Sequence, residues 1–377
     1  MGATGSIGRQ TLDVVRRAGD DFELVAVSGG RRVAELAAVA REFAVRRVGV
    51  ALEEDRRELR TLVDEGVDVV VGESGLRELC RDVDVVVNAV MGFAGLPVTL
   101  ATLEAGARLA LANKESLVAA APVVAHARQT PGAEILPVDS EHCAIYQCLV
   151  GSTTPGHPDV ARLLLTASGG PFRGWSLDRL QGATKSDALA HPTWAMGPKI
   201  TVDSSTLMNK GLEVLEASAL FGIEVGRIDV VVHPQSIVHS MVEYVDGSVL
   251  AQLSRPDMRL PIAYCLGAPE RLAHHWGQLD FRNALTLEFE PPDRAAFPAL
   301  DLAVAAARRG GAAPAWLSAA NEVCVAAFLE DRIAWRDIVA LVARTMDDYV
   351  DDPLSSLDAV IDNDARARRI THANLPS

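Results

Sequence analysis

The chain of 377 residues is 49% hydrophobic and carries a formal net charge of −14. This length predicts two or three domains, and the composition supplies enough apolar side chains for their cores. The charge argues against nucleic acid as a partner, because a phosphate backbone requires clustered Lys and Arg side chains, whereas a small anionic ligand requires only a few local donors.

The sequence predicts neither a membrane segment nor a secretory signal. No apolar run is long enough to span a bilayer, and the first residues lack a charged stretch followed by an apolar block. The five cysteines are an odd number without a Cys-x-x-Cys pair, which argues against a disulfide framework or a zinc site. We therefore expect a cytoplasmic protein without a membrane partner.

Residues 1–112 are predicted to form an α/β domain with a Rossmann-like parallel sheet. Short β-branched runs alternate with segments of helical periodicity, such as residues 31–43 and 96–106. Alternating strands and helices form βαβ units, and nearly continuous apolar runs indicate strands covered on both faces. The candidate strands are residues 22–28, 46–51, 68–72, 83–90 and 108–112.

The glycines at the start of this domain predict a dinucleotide-binding loop. Gly2, Gly5 and Gly8 precede a helical segment, and such a turn brings the backbone close to a pyrophosphate at the helix N-terminus. A glycine-rich loop alone is a weak signal, and an ordinary tight turn is the alternative interpretation.

Two arginines follow the candidate strand at residues 22–28. In a dinucleotide-binding fold this position corresponds to the end of the second strand, where sites that prefer NAD usually place an acidic residue. The segment reads Ser28-Gly29-Gly30-Arg31-Arg32. Paired guanidinium groups can bind the 2′-phosphate of NADP bidentately, which predicts a preference for NADP. Alternatively, one or both arginines simply begin a solvated helix.

Residues 113–266 are predicted to form a mixed α+β domain whose loops carry the chemistry. Lys114 follows the strand at 108–112, and ligands bind parallel sheets at the carboxyl ends of their strands. The alternative is a surface lysine that opens a helix. The strand-like runs are residues 134–139, 162–168, 227–233 and 237–253, the last with a hairpin turn at Asp246-Gly247.

Three carboxylates in this region predict a metal site. If residues 137–142 are extended, Asp139 and Glu141 point the same way, because side chains alternate along a strand. Residues 199–216 predict one helix with Asn209, Lys210 and Glu213 on one side. Carboxylate oxygens suit a hard divalent cation such as Mg²⁺ or Mn²⁺, and the neighbouring polar groups suit a phosphate. A solvated helix face is the alternative for this segment.

Several other polar side chains have two interpretations. His191, His233 and His239 either contact a phosphate or hydroxyl group or are satisfied structural residues. Cys143 has no obvious base nearby, and we interpret it as a packing residue. Trp194 lies in a loop, where it either covers a ligand or fills the core.

The last third of the chain divides into a linker and a helical region. Residues 267–298 contain four prolines and little periodicity, which predicts a linker. Residues 299–377 predict a small helical bundle. Its candidate helices are residues 300–309, 316–330, 335–349 and 357–365.

Seven motifs occur in order along the chain, and together they are far more specific than the glycine loop. In them the chain closely resembles the 1-deoxy-D-xylulose 5-phosphate reductoisomerase family, from Gly2 to the C-terminal helices. The motifs are Gly2-Ala-Thr-Gly-Ser-Ile-Gly8, Ala112-Asn-Lys-Glu-Ser-Leu117, Pro137-Val-Asp-Ser-Glu-His142, Ala167-Ser-Gly-Gly-Pro-Phe172, His191-Pro-Thr-Trp194, residues 203–213 and His233-Pro-Gln-Ser-Ile-Val-His239.

The resemblance implies an NADP-dependent oxidoreductase of the non-mevalonate isoprenoid pathway. It would convert 1-deoxy-D-xylulose 5-phosphate, a small phosphorylated sugar, to 2-C-methyl-D-erythritol 4-phosphate. The implied cofactors are NADPH and a divalent cation, Mn²⁺ or Mg²⁺, with Co²⁺ as a further candidate. Family members are homodimers, and their flexible lid matches residues 191–198.

The resemblance also assigns roles to individual residues. The metal ligands fall on Asp139, Glu141 and Glu213, and Lys114 lies near the reacting oxygens as a further catalytic residue. The substrate contacts fall on Ser140, Glu141, Ser168, His191, Ser204, Asn209, Lys210 and Glu213. The NADPH contacts fall on Thr4, Gly5, Ser6, Ile7, Gly30, Arg31, Arg32, Asn113, Glu115 and Gly197.

The chain departs from the family pattern in two places. Arg31-Arg32 replaces a more varied segment, and the glycine loop begins at Gly2, where the family has a preceding central strand. We therefore expect a Rossmann-like sheet whose first strand is missing. A non-catalytic NADPH-binding protein derived by that loss is the alternative function. A simple NADP-dependent dehydrogenase is a further rival, although no matching catalytic Cys and His pair is evident.

Overall fold

The computed structural model describes residues 1–150, 156–273 and 276–376. Residues 151–155, 274–275 and 377, which belong to the predicted α+β domain, linker and helical region, lie outside the described residues. The described residues form ten strands, which are β1 Ala26–Gly29, β2 Arg47–Val50, β3 Asp68–Val71, β4 Val85–Asn88, β5 Arg108–Leu111, β6 Glu134–Pro137, β7 Val160–Ala167, β8 Ile228–Val232, β9 Val238–Tyr244 and β10 Val249–Leu253.

Helices alternate with the first six strands and dominate the end of the chain. The α-helices are α1 Ser6–Ala18, α2 Val33–Glu42, α3 Glu53–Leu62, α4 Gly72–Glu78, α5 Leu96–Glu104, α6 Lys114–Ala127, α7 Ser140–Leu149, α8 Leu177–Gln181, α9 Lys185–Leu189, α10 Pro198–Ser205, α11 Met208–Phe221, α12 Arg259–Gly267, α13 Ala299–Arg309, α14 Ala313–Leu329, α15 Trp335–Asp347 and α16 Leu357–Asn374. None of the described helices is both long and apolar enough to cross a bilayer.

The chain folds into two compact units, each built from separate segments. The first unit comprises Met1–Ser116, Val124–Cys143 and Asp257–Gly277. The second unit comprises Leu117–Val123, Ala144–Pro256 and Gln278–Ser377. The division at residues 112, 266 and 298 inferred from the sequence assumes continuous segments, and it stays a prediction.

The first unit contains two parallel three-stranded sheets, ordered β1-β2-β3 and β4-β5-β6. Each strand lies within or close to an apolar run, and helical crossovers between successive strands produce the parallel order. Met1–Ala3 lies between the sheets: Ala3 N donates to Ser28 O at 2.7 Å, and Ala89 N donates to Met1 O at 3.1 Å. Among the described residues no strand precedes the glycine loop, so the predicted α/β class is confirmed in this divided form.

Helix α12 returns to the first unit and packs against α1. Arg259 donates from Nη1 to Asp13 Oδ2 at 2.8 Å and from Nη2 to Asp257 Oδ2 at 2.6 Å. The hydrogen bond from Arg259 holds the pKa of Asp13 below its ordinary value. The helix that begins at the glycine loop is therefore fixed by a segment far away in sequence.

The second unit contains a mixed four-stranded sheet in the order β10-β9-β7-β8. β7 pairs with β8 in parallel and with β9 antiparallel, and β9 and β10 form the predicted hairpin. Gly247 N donates to Tyr244 O at 2.9 Å, and Gly247 has φ +83°, which favours glycine at this turn. In the predicted linker, Glu290 pairs with Val232 in an isolated bridge.

The C-terminal helices α13–α16 form the predicted helical region of the second unit. α14 packs against both α15 and α16, and Trp316, which is fully buried, donates from Nε1 to Asn363 Oδ1 at 3.0 Å. The last helix runs to Asn374, whereas the sequence predicted its end at residue 365. Beyond residue 365, the fully buried Thr371 accepts from Thr345 Oγ1 on α15 at 3.2 Å, and this contact explains part of the additional ordered length.

Candidate active site

The glycine loop brings backbone atoms together at the start of α1. Gly5 is the N-terminal cap of α1 and donates from N to Gly2 O at 2.9 Å. A Cβ atom added at Gly8 would lie 2.2 Å from Gly2 O and 2.6 Å from Ala3 Cα. Gly5 supplies no side-chain cap to α1, and the uncapped first N–H groups of a helix are groups that can bind a pyrophosphate.

Replacing Gly8 by Ala is expected to lower both stability and NADPH affinity, because the added Cβ meets only backbone atoms that must shift. Overpacking of this kind costs roughly 1–3 kcal/mol. Gly66→Ala is the matched control, since a Cβ there has no neighbour within 4 Å. Thermal melts with and without NADPH measure both effects, and equal behaviour of the two variants would contradict the tight-loop interpretation.

Arg31 and Arg32 follow β1 and are both exposed. Arg32 is the N-terminal cap residue of α2, and its Nη1 lies 3.7 Å from Glu35 Oε2. Arg9 donates to the same carboxylate oxygen at 2.7 Å and holds the pKa of Glu35 below its ordinary value. The arginines thus do begin a solvated helix, and their guanidinium groups remain accessible to an anion.

Asn113 follows β5 and forms hydrogen bonds with the loop that follows the neighbouring strand β4. Its Oδ1 accepts from Ser116 N at 3.0 Å and caps α6, while its Nδ2 donates to Val90 O at 2.6 Å and Gly92 O at 2.7 Å. A Cβ at Gly95 would lie 2.6 Å from Asn113 Cγ. The residue therefore orders the loop after β4, and Glu115 is buried beside it at 9% exposure.

Lys114 and Asp139 form a buried ion pair, with Nζ and Oδ2 2.9 Å apart. Their side chains are only 9% and 14% exposed. His142 Nδ1 lies 3.1 Å from Asp139 Oδ1. Lys114 thus follows a parallel strand, as the sequence predicted, and it is paired with a carboxylate and is not a surface residue.

The expectation that Asp139 and Glu141 lie on an extended segment is wrong. β6 ends at Pro137, and α7 begins at Ser140. Asp139 Oδ1 accepts from Glu141 N at 3.2 Å and from His142 N at 3.4 Å. An aspartate that satisfies the first N–H groups of a helix acts as its N-cap, and this hydrogen bonding prevails over continuation of the strand.

The single helix expected over residues 199–216 is also wrong. The helix is interrupted between α10 and α11 at Leu207, which has φ +61°. Thr206 Oγ1 donates to Asp203 O at 3.1 Å and accepts from Met208 N at 3.2 Å, so a side chain replaces the helical backbone pattern. Ser204 therefore lies on the helix before the break, and Lys210 on the helix after it.

The polar face of α11 forms as its spacing predicts. Glu213 Oε1 accepts from Asn209 Nδ2 at 2.5 Å, and Glu213 Oε2 accepts from Lys210 Nζ. Glu213 is 1% exposed and Lys210 is 3% exposed. A buried carboxylate with a buried ammonium group is not a solvated face, because burial of charge requires paired or bound partners.

His191 and Ser168 are joined by a hydrogen bond, with Nε2 and Oγ 3.1 Å apart. His191 Nδ1 accepts from Thr193 N at 3.1 Å and from Trp194 N at 2.9 Å, which leaves Nε2 as the protonated nitrogen that donates to Ser168. Burial lowers the pKa of His191, which favours the neutral imidazole. Gly170 N also donates to Ser168 Oγ, at 3.2 Å.

The other two histidines differ in their surroundings. His233 is structural: it is fully buried, its Nε2 accepts from Ile237 N at 3.1 Å, and its Nδ1 donates to Glu288 O at 2.8 Å. The ring of His239 lies 6.4 Å from that of Trp194. Cys143 is buried at 1% exposure, in agreement with a packing role.

The structure groups the candidate residues within each unit. In the first unit, Lys114 and Asp139 are paired, and Ser140 Oγ donates to Glu141 Oε2 at 2.5 Å. The remaining candidate substrate residues and Gly197 belong to the second unit, as does Glu213.

Sequence reasoning missed Gly170, where a Cβ would lie 2.5 Å from Ser204 O. The adjacent glycines of Ser168-Gly-Gly-Pro-Phe172 were the available signal for this close approach of two backbones.

A glycine-lined helix N-terminus, accessible arginines after β1 and a buried lysine–carboxylate pair define a nucleotide-dependent oxidoreductase of the Rossmann-like α/β class. The chain belongs to the 1-deoxy-D-xylulose 5-phosphate reductoisomerase family. The family model of that name matches residues 1–121, its C-terminal domain model matches residues 135–221, and the model of the DXP reductoisomerase C-terminal domain matches residues 253–370.

Individual relatives match along nearly their full length. The 1-deoxy-D-xylulose 5-phosphate reductoisomerase of Synechococcus sp. is 47% identical over 100% of this chain and 97% of its own. That of Desulfitobacterium hafniense is 49% identical over 98% of this chain and 96% of its own.

Solved structures of reductoisomerases match the fold of this chain. The reductoisomerase from Zymomonas mobilis in complex with NADPH has a TM-score of 0.91 at 42% identity, covering 99% of this chain and 97% of its own. A DOX-P reductoisomerase in complex with NADPH, fosmidomycin and magnesium has a TM-score of 0.92 at 42% identity, covering 99% and 96%.

Proposed function

We propose that this protein converts 1-deoxy-D-xylulose 5-phosphate to 2-C-methyl-D-erythritol 4-phosphate with NADPH and a divalent cation. The observation that carries the proposal is the buried Lys114–Asp139 ion pair, 2.9 Å between Nζ and Oδ2, in a chain that matches the family from end to end. A charged pair with so little exposure supports a catalytic role, because such a pair contributes little net stability.

The metal ligands in this proposal are Asp139, Glu141 and Glu213. These three carboxylates fit a divalent cation, since they supply the oxygen ligands that Mg²⁺ and Mn²⁺ prefer. When bound, the cation stabilises negative charge on substrate oxygens. Co²⁺ is a further candidate for the same oxygen ligands.

The substrate is held through its phosphate and its hydroxyl groups. A phosphate bound away from the reacting carbons lowers the entropic cost of orienting them. The neutral His191 offers an Nε2–H donor, and Lys210 offers positive charge. The proposed contacts are Ser140, Glu141, Ser168, His191, Ser204, Asn209, Lys210 and Glu213.

Most of the residues that would hold NADPH belong to the first unit, where they lie in the glycine loop or follow a strand. The backbone of the glycine loop holds the pyrophosphate, and the arginines after β1 hold the 2′-phosphate. The proposed contacts are Thr4, Gly5, Ser6, Ile7, Gly30, Arg31, Arg32, Asn113, Glu115 and Gly197.

Lys114 is the proposed proton donor and charge stabiliser. Its Nζ would stabilise an oxygen that gains negative charge while the carbon skeleton rearranges, and NADPH would supply the hydride for the reduction. The segment 191–198 is partly exposed and is proposed to cover the substrate and exclude water. We also infer a homodimer and a cytoplasmic location from the family, and the five buried free thiols fit a reducing compartment.

The direct test follows NADPH absorbance with 1-deoxy-D-xylulose 5-phosphate, with and without Mn²⁺. We expect oxidation that requires both the substrate and the cation. NADPH binding without substrate-dependent oxidation would overturn the proposal in favour of the non-catalytic alternative.

Replacing Arg31 and Arg32 together by Ala is expected to raise the KM for NADPH at least about tenfold and to leave that for NADH nearly unchanged, because only NADPH carries the 2′-phosphate. Steady-state kinetics with both cofactors measure the difference. Arg56→Ala is a control, since Arg56 pairs with Glu53 within the same helix, α3. Equal weakening of the two cofactors would show that the pair only supports the helix.

A further inference from the structure

Helix α10, which carries Ser204, is held by two side chains from the C-terminal helices. Asn321 on α14 donates from Nδ2 to Asp203 Oδ1 at 2.7 Å. Trp335 on α15 donates from Nε1 to Ser205 Oγ at 2.8 Å. Both acceptors are 1% exposed, and they are the two immediate neighbours of Ser204 in the chain.

The carboxylate of Asp203 is satisfied on both oxygens. Lys199 Nζ lies 2.9 Å from Asp203 Oδ2, on the other side from the Asn321 amide. Loss of the Asn321 donor would leave a buried charged oxygen short of a partner, which costs more than a neutral hydrogen bond. The position of α10 is therefore coupled to α14.

Trp335 also contacts the segment that carries Ser168. Its ring meets that of Phe172 edge-on, with centroids 5.0 Å apart and an interplanar angle of 87°. Phe172 is fully buried and ends the Ser168-Gly-Gly-Pro-Phe172 segment. One indole thus touches both segments, which themselves meet where Gly170 approaches Ser204 O.

We propose that Trp335 and Asn321 are positioning residues for phosphate binding, holding Ser204 at a fixed distance from Ser168. The inference rests on the proposed function, in which both serines contact the substrate, and it assigns both contacts to the phosphate. Hydroxyl donors on two separate segments bind one anion well only when packing and hydrogen bonds behind them fix their separation. The C-terminal helical region then contributes to substrate affinity without touching the substrate.

A merely structural role is the competing explanation, and the chain offers a matched control for it. Trp316 is another buried tryptophan, with its Nε1 donating to Asn363 Oδ1 at 3.0 Å and its ring edge-on to Tyr349 at 5.3 Å. Trp316→Phe removes the same kind of hydrogen bond within the same helical region and leaves α10 unchanged. The decrease in the melting temperature of this variant measures the structural effect alone.

The experiment compares Trp335→Phe, Ser205→Ala, the double variant and Trp316→Phe. The first keeps an aromatic ring against Phe172, and the second removes the acceptor without changing any ring. We expect the KM for 1-deoxy-D-xylulose 5-phosphate to rise about fivefold to tenfold in each of the first two variants, and the double variant to be no worse than either. The KM for NADPH should change less than about twofold, and Asn321→Ala should repeat the pattern.

Calorimetric titration with fosmidomycin, a phosphonate, supplies a readout that does not depend on turnover. We expect its affinity to fall in parallel with the rise in substrate KM. The inference is overturned if the melting temperature falls equally in Trp335→Phe and Trp316→Phe and both variants keep a normal substrate KM and fosmidomycin affinity. Failure of the wild-type protein to oxidise NADPH with substrate overturns the proposed function instead, and the titrations still decide whether the indole positions an anion site.

Discussion

Glu213→Gln is expected to lower kcat/KM for the deoxyxylulose phosphate by at least about 10³, which corresponds to about 4 kcal/mol of transition-state stabilisation. The carboxylate is 1% exposed and accepts hydrogen bonds from Asn209 and Lys210. The amide keeps the size of the side chain and removes the charge that would bind the cation. Turnover and the Mn²⁺ dissociation constant should therefore worsen together, while NADPH affinity is preserved.

Glu322→Gln is the matched control for this variant. Glu322 accepts from Arg368 Nη2 at 2.6 Å on the C-terminal helices, and its side chain is 17% exposed. The same substitution there removes a partly buried ion pair outside the candidate site. It is expected to lower the melting temperature and leave kcat/KM within about threefold. Normal activity of Glu213→Gln at limiting Mn²⁺ would exclude Glu213 as a ligand.

Lys114→Met is expected to lower kcat by about 10²–10⁴, the range for loss of a positioned proton donor. Met fills a similar volume, so the variant removes the charge next to Asp139 with little loss of packing. The ammonium group and a divalent cation are both positive charges near that carboxylate. We therefore expect Mn²⁺ binding to be equal or tighter in the variant while turnover is lost, a separation that single-turnover kinetics and metal titration can measure.

Lys185→Met is the corresponding control, because Lys185 Nζ and Asp331 Oδ2 are also 2.9 Å apart. This pair lies at the end of α14, where Lys185 also donates to Leu329 O. The control should lose stability and retain turnover. If Lys114→Met kept more than about a tenth of the wild-type kcat, Lys114 would be a structural partner of Asp139 and not a catalytic residue.

The sequence predicted the elements of the fold well where the signal is local. Apolar runs located all six parallel strands of the first unit, because strands covered on both faces must be apolar along their length. β1, Ala26–Gly29, begins later than the predicted start at residue 22. The apolar pattern does not show where the backbone first finds a pairing partner.

Two local errors have one cause, which is a polar side chain that competes with the backbone for hydrogen bonds. Asp139 ends an extended segment by capping α7, and Thr206 interrupts a helix by bonding to both sides of the break. Side-chain capping depends on rotamers and on neighbouring atoms, so period and propensity do not determine it. The tertiary partners of Asp203 and Ser205 were beyond prediction for a related reason, since they lie more than a hundred residues away in sequence.

The return of α12 to the first unit constrains how this chain can be synthesised and divided. The chain leaves that unit at Cys143 and rejoins it at Asp257. At about 5–20 residues per second, a ribosome needs roughly 6–23 s to supply the missing segment. During that time α1 lacks Arg259, and the apolar surface later covered by α12 stays open to solvent or to chaperones. In an expression fragment that stops near residue 150, the apolar surface that α12 would cover stays exposed. We therefore expect this fragment to aggregate unless the segment Asp257–Gly277 is fused to it.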